Sequence, residues 1–288
     1  MKSLLLPFVH NLFTHSITVG TLPPPVDKRG NLWYTKLYQM AWSGKEAPMR
    51  IDVLGVGFDD MTVEQAVAEG VRLLNTPGAH YAVTPNPEIV EVCREDAEAR
   101  EAVNGADLVL ADGIGVIYGA KMLGTPLKGR VTGIGFAQEL MARMAEDGKR
   151  LFLLGAKPGV AERAAENLQR QYPGLIVAGT HDGYFQEDGP VVEAIRASGA
   201  DVVFVCLGAP KQEKWMRKNG EATGAHLLVG LGGCLDVFSG EVRRAPEVFQ
   251  KLGLEWLHRL AKNPSRIGRM MKLPLFLVHV AVEKGKKK

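Results

Sequence analysis

Asp107-Leu108-Val109-Leu110-Ala111-Asp112-Gly113-Ile114-Gly115-Val116 is the stretch on which the reading of this chain turns. Leu108 to Leu110 form a short continuous apolar run, the pattern of a strand buried inside a parallel sheet. The run stops at Ala111-Asp112-Gly113, so a carboxylate stands where the strand ends and a glycine lets the backbone turn away. From Ile114 the pattern is helical. Ligands of open α/β sheets bind outside the carboxyl ends of the strands, and Asp112 falls there. The same carboxylate suits the N-cap of the following helix. On this stretch alone both readings stand.

Outward from it, strands and helices alternate. Strands are expected over 51–56, 81–83, 108–110, 151–154, 175–178, 202–207 and 226–230. Helices are expected from a Thr62 cap to Asn75, after Glu88, from Ile114 to about Leu123, and over 133–147, 160–172, 191–197 and 211–219. Such alternation predicts an α/β fold: a Rossmann-like, mostly parallel sheet with helices on both faces. With 288 residues, 46% hydrophobic and 23% charged, the chain is long enough to bury a sizeable core. Cys93, Cys206 and Cys234 are far apart with no CxxC spacing, which fits a reducing compartment and neither a disulfide framework nor a thiolate metal site.

Three regions are expected. Residues 1–49 form a weakly ordered N-terminal extension, apolar but interrupted at Pro7, His10 and Asn11, with a linker around Pro23-Pro24-Pro25. It is too short and broken for a transmembrane helix, and no small-residue cleavage site follows. Residues 50–250 form the α/β core. Residues 251–288 form a basic, amphipathic, helical appendage. They hold ten Lys or Arg against two acids, while residues 1–250 hold 25 against 30. A mildly acidic body with a basic tail points the tail toward phosphates, on nucleic acid or on a membrane surface.

The chemistry is narrowed by what is missing. Gly113-Ile114-Gly115 has Tyr118 where GxGxxG needs its third glycine, and Gly133-Ile134-Gly135 has Gln138. There is no GxxxxGK[ST], no DxD pair and no HxxxH or HxH, so neither a cofactor nor a metal is expected. His181-Asp182, ahead of Gly183, reads as a turn. What remains is a set of polar strand ends. Thr84-Pro85-Asn86 offers a hydroxyl and an amide. Gly155 and Gly208 each precede a helix N-terminus, the geometry that receives phosphate on backbone N–H groups, and Gly230-Leu231-Gly232-Gly233 makes a third such turn. Together with Asp112 they favour a phosphate-bearing ligand. Lys214 reads as a solvated helix face, Asp236 as structural, and Tyr184-Phe185, Trp215 and Trp256 as packing.

Several motifs carry a resemblance. TPNPEIV (84–90), ADGIGV (111–116), LLGAKPGVAERAAENL (153–168), GYF (183–185), LGAPKQEKW (207–215) and GCLDVFSGEVRRAPEVFQKLGLEWLHRL (233–260) resemble the WecG/TagA/CpsF family of glycosyltransferases, in family order from about Arg50 to Pro274. The resemblance implies an inverting, metal-independent enzyme of cell-wall or teichoic acid synthesis. Such an enzyme moves an N-acetylmannosamine-type sugar from UDP to undecaprenyl-diphosphate-linked N-acetylglucosamine. It implies Asp112 as the general base with Thr84 beside it as a catalytic candidate. Asn86 lines the sugar site with Thr84, and Gln212 lies beside them. The resemblance further implies that Arg259, Arg266 and Arg269 fold over the site to meet diphosphate. The family usually has an Asp matching Gly135 within RVTGIGF, and whatever that acid contacts is lost here.

The residues supply reasons for such a reading. An inverting transfer needs one carboxylate to take a proton, and burial at a sheet's mouth raises a carboxyl toward that task. Without a metal, helix N-termini and arginines must stabilise the leaving diphosphate. The expected partners are a UDP-sugar donor, a polyprenyl-diphosphate acceptor and an anionic membrane surface, with a homo-oligomer left open. The expected location is cytoplasmic, peripheral on the inner face of the plasma membrane. A nicotinamide-dependent oxidoreductase shares the fold class but not its glycine fingerprint. A nucleic-acid-binding protein would explain the tail, but the tail interleaves Leu, Ile, Met and Phe with its cations, as membrane-surface helices do.

Overall fold

The computed structural model describes residues 49–246, 248–249, 255–257, 268 and 272–286. Arg259, Arg266 and Arg269 lie outside them, as does the N-terminal extension up to residue 48.

Six strands, β3 (His80–Val83), β4 (Leu108–Val109), β5 (Arg150–Gly155), β6 (Ile176–His181), β7 (Val202–Cys206) and β8 (Leu227–Gly230), form one sheet in the order β4-β3-β8-β7-β5-β6. Every pairing in it is parallel. Because side chains alternate across a strand, the sheet feeds two cores. Ala82, Leu108, Leu151, Leu153, Val202, Phe204, Leu227 and Val229 face one; Val83, Val109, Phe152, Leu154, Val203, Val205 and Leu228 face the other. The first is covered by α1 (Val63–Leu74), α5 (Gly133–Asp147), α6 (Val160–Gln171) and the short α9 (Cys234–Phe238). The second is covered by α2 (Pro87–Glu95), α3 (Ala97–Asn104), α4 (Ile114–Leu123), α7 (Asp188–Ser198), α8 (Lys211–Thr223) and α10 (Lys272–Lys286). The fold is thus the α/β sheet with helices on both faces that the alternation predicts.

One expected strand is two. Instead of a single strand over 51–56, β1 (Arg50–Val53) and β2 (Val56–Asp59) form an antiparallel hairpin turning at Leu54-Gly55, both at positive φ. The hairpin covers the sheet edge at β4. Asp59 Oδ2 accepts the Val109 amide at 2.7 Å, satisfying an edge donor that would otherwise be open. Arg50 holds the carboxylate from the other side and reaches back to the carbonyls of Asn104 and Ala106. Thr62 caps α1 as expected, in a reciprocal capping box with Gln65.

The C-terminal helix α10 packs on α2 and α4. Phe276 and Val280 are fully buried. They lie over a groove that two glycines keep open: a Cβ on Gly119 would stand 2.8 Å from the Phe276 ring, and one on Gly115 would stand 2.6 Å from Leu273 and from Pro87. His279 and Arg94 close the contact on the buried carboxylate of Glu91. No helix among the described residues is long and apolar enough to cross a membrane.

Candidate active site

The chain leaves β3 toward β4 on one side, while β8 lies on the other, so the carboxyl ends of these strands meet at a point where connections diverge. Asp112 follows β4 there. It does not cap the helix after it: α4 opens on Gly113 with no side-chain cap. Instead its Oδ2 accepts the Gly133 amide in the first turn of α5 at 3.3 Å, and its Oδ1 lies 3.9 Å from Nε of Arg130. With a third of its side chain exposed, the carboxylate is accessible and electrostatically held. Asp112 is therefore not the N-cap of α4; it stands at the strand's carboxyl end and faces the start of α5. The backbone is fixed too, by the Asp112 amide on the Pro85 carbonyl and the Val131 amide on the Ala111 carbonyl.

Thr84, at the end of β3, is almost fully buried and donates its hydroxyl to the Gly230 carbonyl of β8 at 3.0 Å. It also touches the α5 start, since a Cβ on Gly133 would stand 3.0 Å from Thr84 Oγ1. Asn86 caps α2 by accepting the Ile89 amide at 3.1 Å, and it lies against Gly113. Gln212, buried on α8, accepts the Gly232 amide on Oε1 and donates from Nε2 to Glu213, both at 2.9 Å. Thr84 and Gln212 therefore clamp the Gly230-Leu231-Gly232 turn from two sides. Thr84, Asn86, Asp112 and Gln212 are brought together.

Gly155 and Gly208 are farther along the sheet, at the ends of β5 and β7. Gly155 is needed sterically: at φ +130 its Cβ would stand 2.3 Å from the Cys206 carbonyl oxygen. Gly208 has φ +76 and open space where its Cβ would lie, and its carbonyl accepts the Gln212 amide. The helices after them, α6 and α8, begin without side-chain caps. Gly135 sits in the first turn of α5, its amide on the Thr132 cap.

Reasoning from sequence alone missed a chain of charges beside Asp112. Arg130 Nη2 meets Glu255 Oε2 at 2.5 Å, and Arg244 Nε meets Glu255 Oε1 at 3.3 Å. Burial pushes the Glu255 carboxyl up, but hydrogen bonds and charge from Arg130, with Arg244, outweigh it and hold the group below its usual value. Burial likewise pushes Glu213 up, with only the Gln212 bond and a backbone bond opposing. Among the described residues no group of three or more His, Cys, Asp or Glu is placed to hold a metal ion.

The arrangement can be set beside known proteins. The model of the glycosyl transferase WecG/TagA/CpsF family matches residues 51–288. The chain belongs to the WecG/TagA/CpsF glycosyltransferase family. Relatives from Staphylococcus aureus strains MW2 and NCTC 8325 carry the name N-acetylglucosaminyldiphosphoundecaprenol N-acetyl-beta-D-mannosaminyltransferase. Each is 36% identical over 241 residues, covering 82% of this chain and 94% of the relative. WecG/TagA/CpsF membership sets aside the oxidoreductase and nucleic-acid readings.

Within this WecG/TagA/CpsF chain, other expectations sort themselves. Asp182 accepts the Tyr184 amide, so His181-Asp182 is the turn it reads as. Trp215 is buried and its indole donates to Asp188. Tyr184 is not core: it is 65% exposed, because the turn carries it outward, while Phe185 packs toward Trp215. Lys214 is not merely solvated, since it bridges Asp96 and Glu98 at 2.8 and 2.7 Å and ties α8 to α3.

Proposed function

We propose that this protein moves N-acetylmannosamine, or a close derivative, from UDP to polyprenyl-diphosphate-linked N-acetylglucosamine, with inversion, in the synthesis of a cell-wall or surface polymer. The observation that carries the reading is an accessible Asp112 carboxylate at the sheet's mouth, in a chain 36% identical to mannosaminyltransferases over 94% of their length. In the step, the acceptor hydroxyl gives its proton to Asp112 as its oxygen bonds to the anomeric carbon. The bond from that carbon to the UDP oxygen breaks, and UDP leaves with the electron pair. The Gly133 amide holds Asp112 for this, and Thr84 and Gln212 fix the β8 turn that forms the neighbouring wall. Leaving-group charge falls to helix N-termini and cations, for which the family resemblance supplies Arg259, Arg266 and Arg269.

The acceptor's lipid calls for a membrane surface, and α10 supports one. Opposite its buried Phe276 and Val280, Leu275, Val278 and Val282 are 41%, 57% and 53% exposed. Their spacing of three and four puts them on one helix face, with Lys272, Lys284 and Lys286 at the ends. Each lysine near an anionic surface adds about 1 kcal/mol. A UDP-sugar donor supports a location on the cytoplasmic face, with the protein held peripherally. Incubation with UDP-N-acetylmannosamine and a short-chain acceptor should release UDP and form a disaccharide-diphosphate lipid. Release with no acceptor dependence, or none at all, overturns the reading.

A further inference from the structure

We propose that Glu255 is a positioning residue for the transfer: it holds Arg130 in place and offsets that residue's charge beside Asp112. The proposal rests on the glycosyl-transfer reading above. Arg130 is four-fifths buried and its two ends do different things. Its Nη2 is taken by Glu255 at 2.5 Å; its Nε is buried, has no hydrogen-bond partner among the described residues, and faces Asp112 Oδ1 at 3.9 Å. Glu255 is equally enclosed, and its second oxygen is held by Arg244. Arg130 thus stands beside Asp112, with Glu255 and Arg244 behind it.

This arrangement solves a conflict. A base must be accessible and must stay basic, yet a guanidinium 3.9 Å away favours its anion and weakens it. Glu255 shares the Arg130 charge, so Arg130 steers the carboxylate without fully neutralising it. It also takes the guanidinium's Nη2, while Nε faces Asp112. Glu255 acts only through Arg130.

The test compares wild type with Glu255→Gln, Glu255→Asp, Arg130→Ala and the double variant Arg130→Ala/Glu255→Gln. Transfer kinetics are measured alongside the titration of Asp112, followed by NMR of protein labelled at the aspartate carboxyl carbon. In Glu255→Gln, kcat should fall about tenfold with the donor KM within about twofold, and Asp112 should titrate at lower pH. Glu255→Asp should restore most of both. On the Arg130→Ala background the Glu255 change should add nothing. An unmoved Asp112 titration, or an equal loss with Arg130 absent, overturns the proposal. If wild type transfers no sugar, the functional reading fails, and the titration still decides the coupling. Glu255→Asp covers the case in which Glu255→Gln does not fold.

Discussion

Replacing Gly119 with Leu should release α10 from the body. Phe276 and Val280 are the two side chains that α10 buries completely, and at about 1.5–3 kcal/mol each they contribute about 3–6 kcal/mol to its docking. A Cβ at residue 119 would lie 2.8 and 3.0 Å from Phe276 ring atoms and 3.3 Å from Val280, so the first added carbon already overpacks the groove. Overpacking of this kind costs about 1–3 kcal/mol, and the rest of a leucine side chain has nowhere to go but through the Phe276 ring. Leucine's helix propensity over glycine does not compensate, because α4 is helical whether or not α10 is docked. Gly119→Ala should thus weaken docking about 5- to 150-fold, and Gly119→Leu should abolish it. Hydrogen exchange of peptides covering 272–286 reads this directly, with the β5 and β7 peptides as an internal standard. Transfer should fall as well, since Leu273 lies against Gly115, three residues after Asp112, where Pro87, the neighbour of Asn86, also packs. Unchanged protection of residues 276–280 in Gly119→Leu would refute the packing argument.

Asp112→Asn should keep the fold and UDP binding, because an amide oxygen still accepts from Gly133, while turnover drops roughly 10²–10⁴-fold; turnover near wild type in the purified variant would remove Asp112 from its role. Activity should survive EDTA, given a sequence with no DxD pair and no His pair at ligand spacing; loss on chelation with recovery on adding Mg²⁺ or Mn²⁺ would contradict it. Glu213→Gln should leave stability unchanged near pH 4 and raise it near pH 8. Burial raises the folded Glu213 pKa above 4.5, so its contribution is complete below that value and declines as pH rises through the folded one. Denaturant unfolding at the two pH values decides it, and an equal effect at both would show that Glu213 does not titrate in this way.

Much of this fold can be read from residues. Apolar runs closed by glycine mark the strands of a sheet buried on both faces, and Thr62 announces its helix as a cap. The β1–β2 hairpin is hidden because Leu54-Gly55 carries its positive-φ turn without the Asn-Gly or Asp-Gly that advertises one. Asp112 is legible as a strand-end acid, but its partner Gly133 is 21 residues away and no spacing rule reveals it. Glu255 is less legible still, pairing with Arg130 across 125 residues. Thr84 is legible as a strand-end hydroxyl, whereas Gln212 stands out only through the resemblance, and the hydrogen bonds of both go to the Gly230–Gly232 turn, which no spacing rule reveals.

Direct displacement at the anomeric carbon, with Asp112 taking the acceptor's proton and no sugar–enzyme bond formed, leaves its mark in the product. The anomeric configuration of the disaccharide made by the wild-type protein tests it most directly, read from the one-bond carbon–proton coupling at the new linkage. Starting from an α-linked UDP-sugar, direct displacement gives a β-linkage from the first turnover. An α-linkage would mean retention, and it would contradict a mechanism in which Asp112 is the base.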